Sequence, residues 1–132
     1  MKEVGVFLAR MQPLHNGHMY IMRKSWQEND ETHIHVGSAD KSGTERNPLA
    51  VKARVRILKK ALCDEFGLNY GRHFKIHTLD DWSNEEDGDV SDWGKFLYYN
   101  VVGRAGVKNF KLYFSDTPTI MMNWFTRPIL KR

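Results

Sequence analysis

A chain of 132 residues with 41% hydrophobic and 12% aromatic side chains can bury one core and is short for two, so a single domain over 1–132 is expected. No run of about eighteen apolar residues occurs, and the first residues lead straight into a strand pattern, so a soluble cytoplasmic protein with no membrane partner is expected. The net charge is +4, but Asp80, Asp81, Glu85, Glu86, Asp87, Asp89 and Asp92 crowd one stretch without Lys or Arg; the basic remainder suits a polyanion, either a nucleotide phosphate or nucleic acid.

In chain order, residues 3–9 (EVGVFLA) form a short apolar run that stops before Gln12-Pro13, which reads as a buried first strand. Residues 17–29 carry Met19, Met22 and Trp26 at helical spacing, with Asn29-Asp30 closing a first helix. A second strand follows at 32–37 (THIHVG), then a polar loop at 38–49. The second helix spans 50–66: Val51, Val55, Leu58 and Leu62 line one face, Lys52, Arg56, Lys59 and Lys60 lie elsewhere, and Gly67 ends it. Cys63 falls inside this pattern, where a small buried hydrophobe is the expected role. A third strand at 74–79, the acidic loop, a third helix at 92–102 and a fourth strand at 109–114 complete the order βαβαβαβ. Alternation of this kind predicts an α/β fold: a Rossmann-like parallel sheet with helices on both faces and ligands at the carboxyl ends of the strands.

The loop after the first strand, 10–18 (RMQPLHNGH), carries the most chemistry. A helix start presents unpaired backbone N–H groups and the positive end of the helix dipole, and Gly17 removes a Cβ that would hinder close approach of an anion. His15 and His18 stand three apart, so both rings can project to one side of the first turn, and Arg10 adds a planar fork for phosphate oxygens. Two alternatives compete with phosphate binding. The histidines could be ordinary polar residues of a helix start, or they could hold zinc, although no Cys or carboxylate stands nearby at ligand spacing, so no metal ligand is assigned. His33 and His35, alternating with Ile34 and Val36, read as a polar sheet face, as do His73 and His77 around the third strand. The acidic loop reads as solvated charge.

The segment ARMQPLHNGH resembles the G-R-[FM]-Q-P-x-H-x-G-H signature of archaeal-type nicotinamide-nucleotide adenylyltransferases, within the HxGH nucleotidyltransferase superfamily. Val36-Gly37-Ser38-Ala39, Arg46-Asn47-Pro48 and residues 54–58 (RVRIL) are similar to that group's I-G-S-A, R-[DN]-P-F and E-R-[VI]-x-M-[IL] segments, in the same order. The resemblance extends from about Val4 to Leu62. It implies that His15, His18, Arg10 and Arg46 act on the phosphates of ATP, and that Gly17, Gly37 and Ser38 line the nucleotide site. It further implies that Trp93 packs on a nicotinamide ring and Ser115 lies near the adenosine. Ala9 replaces the usual Gly, and Asp116-Thr117 replace the Gly and Asn of an S-G-N turn. The group's later [SI]-[SG]-[AT]-x-[IV]-R motif, which binds the triphosphate, has no counterpart before Arg132, so nucleotide binding with reduced catalysis is the alternative expectation.

The implied reaction transfers adenylyl from ATP to nicotinamide mononucleotide, giving NAD and pyrophosphate. A phosphate monoester, with a second pKa of about 6, is already an anionic nucleophile at neutral pH. Such a site needs cations and imidazoles with no paired carboxylates, and Mg²⁺ enters with ATP. Transfer to another phosphorylated acceptor is the competing enzyme reading, against which the RMQP segment speaks. Nucleic acid is not expected as a partner, since no stacking platform or recognition motif is present. Assembly into a homo-oligomer is left open by the sequence.

Overall fold

The computed structural model describes residues 2–37, 39, 42–45, 48–79 and 110–113. Strand β1 (Val4–Ala9) is buried along its whole length, as a continuous apolar run in the middle of a parallel sheet must be. It pairs in parallel with β2 (Glu31–Val36) on one side and with β4 (Lys111–Tyr113) on the other, and β2 pairs in parallel with β3 (Phe74–Thr78). The order β3-β2-β1-β4 moves outward from β1 twice and then returns to its opposite side. The reversal places a topological switch point between β1 and β4, where parallel sheets open a crevice beyond the strand ends.

Helices α1 (Asn16–Glu28) and α2 (Val51–Phe66) pack on a single face. Met19 and Met22 of α1 meet Leu58 and Leu62 of α2 over Phe7, Ala9, Ile34, Val36 and Phe74 of the sheet. The expected first, second and third strands and both helices are therefore present, with ends shifted by a residue or so. Gly67 ends α2 as expected, at φ 93. The third expected helix (92–102) and the acidic loop lie outside the described residues; Val6, Leu8, His33 and His35 alternate onto the opposite sheet face. On that face His33 and His35 are polar as expected, but they are buried. His77 stacks on both rings, and His33 bridges Glu31 at 2.6 Å and His77 at 2.8 Å. Cys63 is half-buried on α2.

Trp26 is more exposed than its helical phase suggests. It closes the edge of the core against Phe66, His73 and Phe74. At the amino ends of the strands, the Ser25 and Thr32 hydroxyls meet at 2.6 Å and His73 Nε2 lies 2.7 Å from Thr32 Oγ1. Asn29 donates to the Tyr113 hydroxyl, which donates to Glu28. This network ties α1 to β2, β3 and β4 at the end opposite the switch point, leaving the carboxyl ends for a ligand. Among the described residues no helix is long and apolar enough to cross a membrane.

Candidate nucleotide-binding site

Strand β1 ends at Ala9, whose carbonyl accepts from Gly37 N–H at 2.9 Å, so the carboxyl ends of β1 and β2 stay paired to the last residue. The chain then turns. Met11 adopts φ 57 with its side chain in the core, and Gln12 exchanges two hydrogen bonds with the backbone of Leu49, just ahead of α2. Helix α1 begins at Asn16, with His15 as its N-cap.

The two histidines cap this helix with each other. His15 Nδ1 accepts from Gly17 N–H at 3.1 Å, His18 Nδ1 accepts from His15 N–H at 3.1 Å, and the two rings stack with centroids 3.7 Å apart. Serine or threonine with glutamate is the usual pair for such a box. Here imidazoles take both places, and the chemical consequence is a fixed tautomer. A neutral ring that accepts at Nδ1 carries its proton on Nε2, so each histidine donates from Nε2. Two helix-start N–H groups expected to face an anion are thus already taken by the rings, of which His15 is exposed and His18 is buried. Gly17 has a nearer role than admitting phosphate: a Cβ there would stand 2.9 Å from Cε1 and 3.1 Å from Nδ1 of His15.

Arg10 is exposed just beyond the end of β1, and a guanidinium at a strand end is of a kind that suits phosphate oxygens. Gly37 is buried at the end of β2. The structure thus brings Arg10, His15, Gly17, His18 and Gly37 to one end of the sheet; Ser38, Arg46, Trp93 and Ser115 lie outside the described residues.

Sequence reasoning missed Arg54 and gave Gln12 no role of its own. Arg54 is almost fully buried, and its Nη1 donates to the carbonyls of Arg10 at 2.9 Å and Gly37 at 2.7 Å. A signal existed: Arg54 lies three residues after Val51 and four before Leu58, on the apolar stripe of α2, where a charge must have buried acceptors to be tolerated. Nothing in the local sequence marks the Gln12 contact, which joins residues 37 apart. Among the described residues no group of three His, Cys, Asp or Glu is placed to hold a metal ion.

A parallel sheet with its switch point beside β1, and a paired-imidazole helix cap at that strand's carboxyl end, define a nucleotidyltransferase-like α/β protein. The chain belongs to the cytidylyltransferase-like family, whose model matches residues 6–112. It is 39% identical over 76 residues to the nicotinamide-nucleotide adenylyltransferase of Thermococcus sibiricus, a match covering 58% of this chain and 40% of that protein. The enzyme of the same name from Thermococcus onnurineus is 41% identical over 68 residues, covering 52% and 36%. The chain therefore spans well under half the length of these relatives. In fold it is similar to a bifunctional NMN adenylyltransferase/ADP ribose pyrophosphatase from Francisella tularensis, crystallised with AMP and Mn ion. That likeness has a TM-score of 0.67 at 23% identity, covering 95% of this chain and 36% of that one. It is also similar to the NadR protein in complex with NAD and AMP-PNP, with a TM-score of 0.57 at 21% identity, covering 86% and 31%.

Proposed function

We propose that this chain carries the catalytic half-site of an adenylyltransferase that joins ATP to nicotinamide mononucleotide, releasing pyrophosphate and forming NAD. The observation that carries the reading is the His15–His18 cap: two stacked imidazoles, one exposed and one buried, stand at a helix start just beyond the carboxyl end of β1, where Arg10 is also exposed. The names of the archaeal relatives support the choice of acceptor.

In the proposed reaction an oxygen of the acceptor's phosphate attacks the α-phosphorus of MgATP. The new P–O bond forms as the bond from the α-phosphorus to the bridging β-phosphate oxygen breaks, and that electron pair leaves with pyrophosphate. The nucleophile is already an anion, so no proton need be removed before attack. The residues' task is to hold the two phosphates in line and offset the charge that grows on the leaving group. His18 Nε2–H, Arg10 and Arg46 are assigned to transition-state charge, and His15 Nε2–H to phosphate orientation. Gly17 makes room for the His15 ring; Gly37, Ser38 and Ser115 are assigned to the nucleotide, and Trp93 to the nicotinamide ring. The deciding assay incubates the chain with ATP, Mg²⁺ and a panel of phosphorylated acceptors and follows pyrophosphate release. Release with nicotinamide mononucleotide alone supports the reading, preference for a different acceptor replaces it, and ATP binding without release reduces it to nucleotide binding.

A further inference from the structure

Gln12 satisfies its amide on a single partner: Nε2 donates to Leu49 O at 3.0 Å and Oε1 accepts from Leu49 N–H at 2.8 Å. This is the reciprocal pair of bonds that facing residues of two strands exchange, made here by a side chain. Two residues earlier, the Arg10 carbonyl accepts from Arg54 Nη1. Leu49 stands two residues before Val51, ahead of the N-cap Ala50, and Arg54 lies near the helix start, so the approach to α2 and its first turn fasten the loop at two points. Between them Met11 sits at φ 57, a left-handed conformation that a residue with a side chain keeps only where its surroundings hold it there. Three residues beyond Gln12 stands His15, the start of the paired cap.

We infer that Gln12 is a positioning residue for the phosphate site: by clamping the turn to Leu49, it sets where the His15–His18 pair stands relative to Arg10. Gln12 touches no nucleotide in this scheme and acts through the histidines. The inference rests on the adenylyl-transfer reading for its kinetic consequence, and on geometry alone for the clamp.

The test compares Gln12→Ala and Gln12→Glu, the latter keeping the acceptor and the size but presenting no amide donor to Leu49 O. Loss of a side-chain hydrogen bond should speed hydrogen exchange at the Leu49 amide about tenfold in Gln12→Ala. Displacement of the histidines should lower kcat about tenfold or more in both variants. The KM for ATP should change by less than about threefold, because the loss falls on the transition state. In the double variant with His18→Ala, the added loss should be far smaller than the product of the single losses, since a ring already displaced contributes little. Multiplying losses, a KM that rises as much as kcat falls, or unaltered Leu49 exchange would each overturn the inference. If one variant fails to fold, the other carries the kinetic comparison. If the unsubstituted chain turns over no acceptor, the functional reading fails, and Leu49 exchange in Gln12→Ala still decides the clamp.

Discussion

His18 accepts the backbone proton of His15 on Nδ1, at 3.1 Å, while the ring that does so lies against the ring of His15. Cap and proposed phosphate site are therefore the same two side chains, and neither can be changed without disturbing the other. An imidazolium has no lone pair at Nδ1, so the cap persists only while the rings are neutral Nε2–H tautomers.

Replacing His18 with alanine removes half of the cap and, on the proposed reading, a donor to the phosphates. Turnover should fall at least about tenfold, as for loss of one charge-stabilising contact in the transition state. The cap itself is worth about 1 kcal/mol, a few degrees in Tm, so the variant should fold. The double variant with His15→Ala should lose less activity than the two single losses multiplied. Pyrophosphate release and thermal melting measure both effects; full independence of the two histidines would contradict their mutual capping.

Gly17→Ala separates stability from activity. Alanine is favoured over glycine inside a helix by about 1 kcal/mol, so α1 should gain intrinsic stability. Its Cβ, however, would stand 2.9 Å from the His15 ring and must displace it. The expected variant melts no lower than the parent, yet approaches His15→Ala in its loss of turnover. Normal turnover would show that the ring can shift without consequence for the site.

Gly5→Ala tests the opposite end of the sheet. An added Cβ would meet Ser25 Oγ at 2.5 Å, Asn29 Nδ2 at 2.9 Å and Tyr113 Cε2 at 2.9 Å, all members of the hydrogen-bonded network under α1. Room can be made only by moving a bonded group or the buried strand. The expected cost is about 1–3 kcal/mol, read from urea unfolding, because overpacking a well-filled core costs that much. An unchanged midpoint would mean that the network yields more readily than its bond lengths suggest.

Periodicity revealed the elements because β1 is apolar throughout and both helices carry a strong 3.6-residue stripe, so each element's burial is written in its own residues. The RMQPLHNGH turn was legible for a related reason: helix start, histidines and arginine are contiguous in sequence. The cap was not, because imidazoles in place of serine and glutamate obey no common pattern. Arg54 was hidden by its charge, which sequence reasoning sends to the surface unless buried carbonyls are known to await it. The burial of His33, His35 and His73 likewise depends on partners distant in sequence. His33 meets His77 across 44 residues and His73 meets Thr32 across 41.

His73 makes the stability of the fold depend on pH. Burial pushes its imidazole below its ordinary pKa; its hydrogen bond to the backbone of Asp30 and the charges of Glu31 and Asp30 act the other way without prevailing. The native state holds this ring neutral, with Nε2 against Thr32 Oγ1. In the unfolded chain the ring takes up a proton near pH 6.5, so below that pH the unfolded state binds more protons than the native one. The contribution of His73 to stability is therefore fully present above about pH 6.5 and is lost as pH falls through its lower native pKa. Glu31 acts in a separate, more acid window. Burial would raise its pKa, but hydrogen bonds with His33 and Lys2, and the charges of both, bring it below the ordinary carboxylate value. Its contribution is present above about pH 4.3 and lost as pH falls through its lower native pKa. Unfolding free energy measured by urea at a series of pH values should decline on acidification from pH 7 to 5. His73→Gln, which can keep a hydrogen bond to Thr32, should flatten that decline, whereas Glu31→Gln should leave it in place and act below pH 4.5. An undiminished slope between pH 7 and 5 in His73→Gln would show that the proton taken up on unfolding belongs to another group.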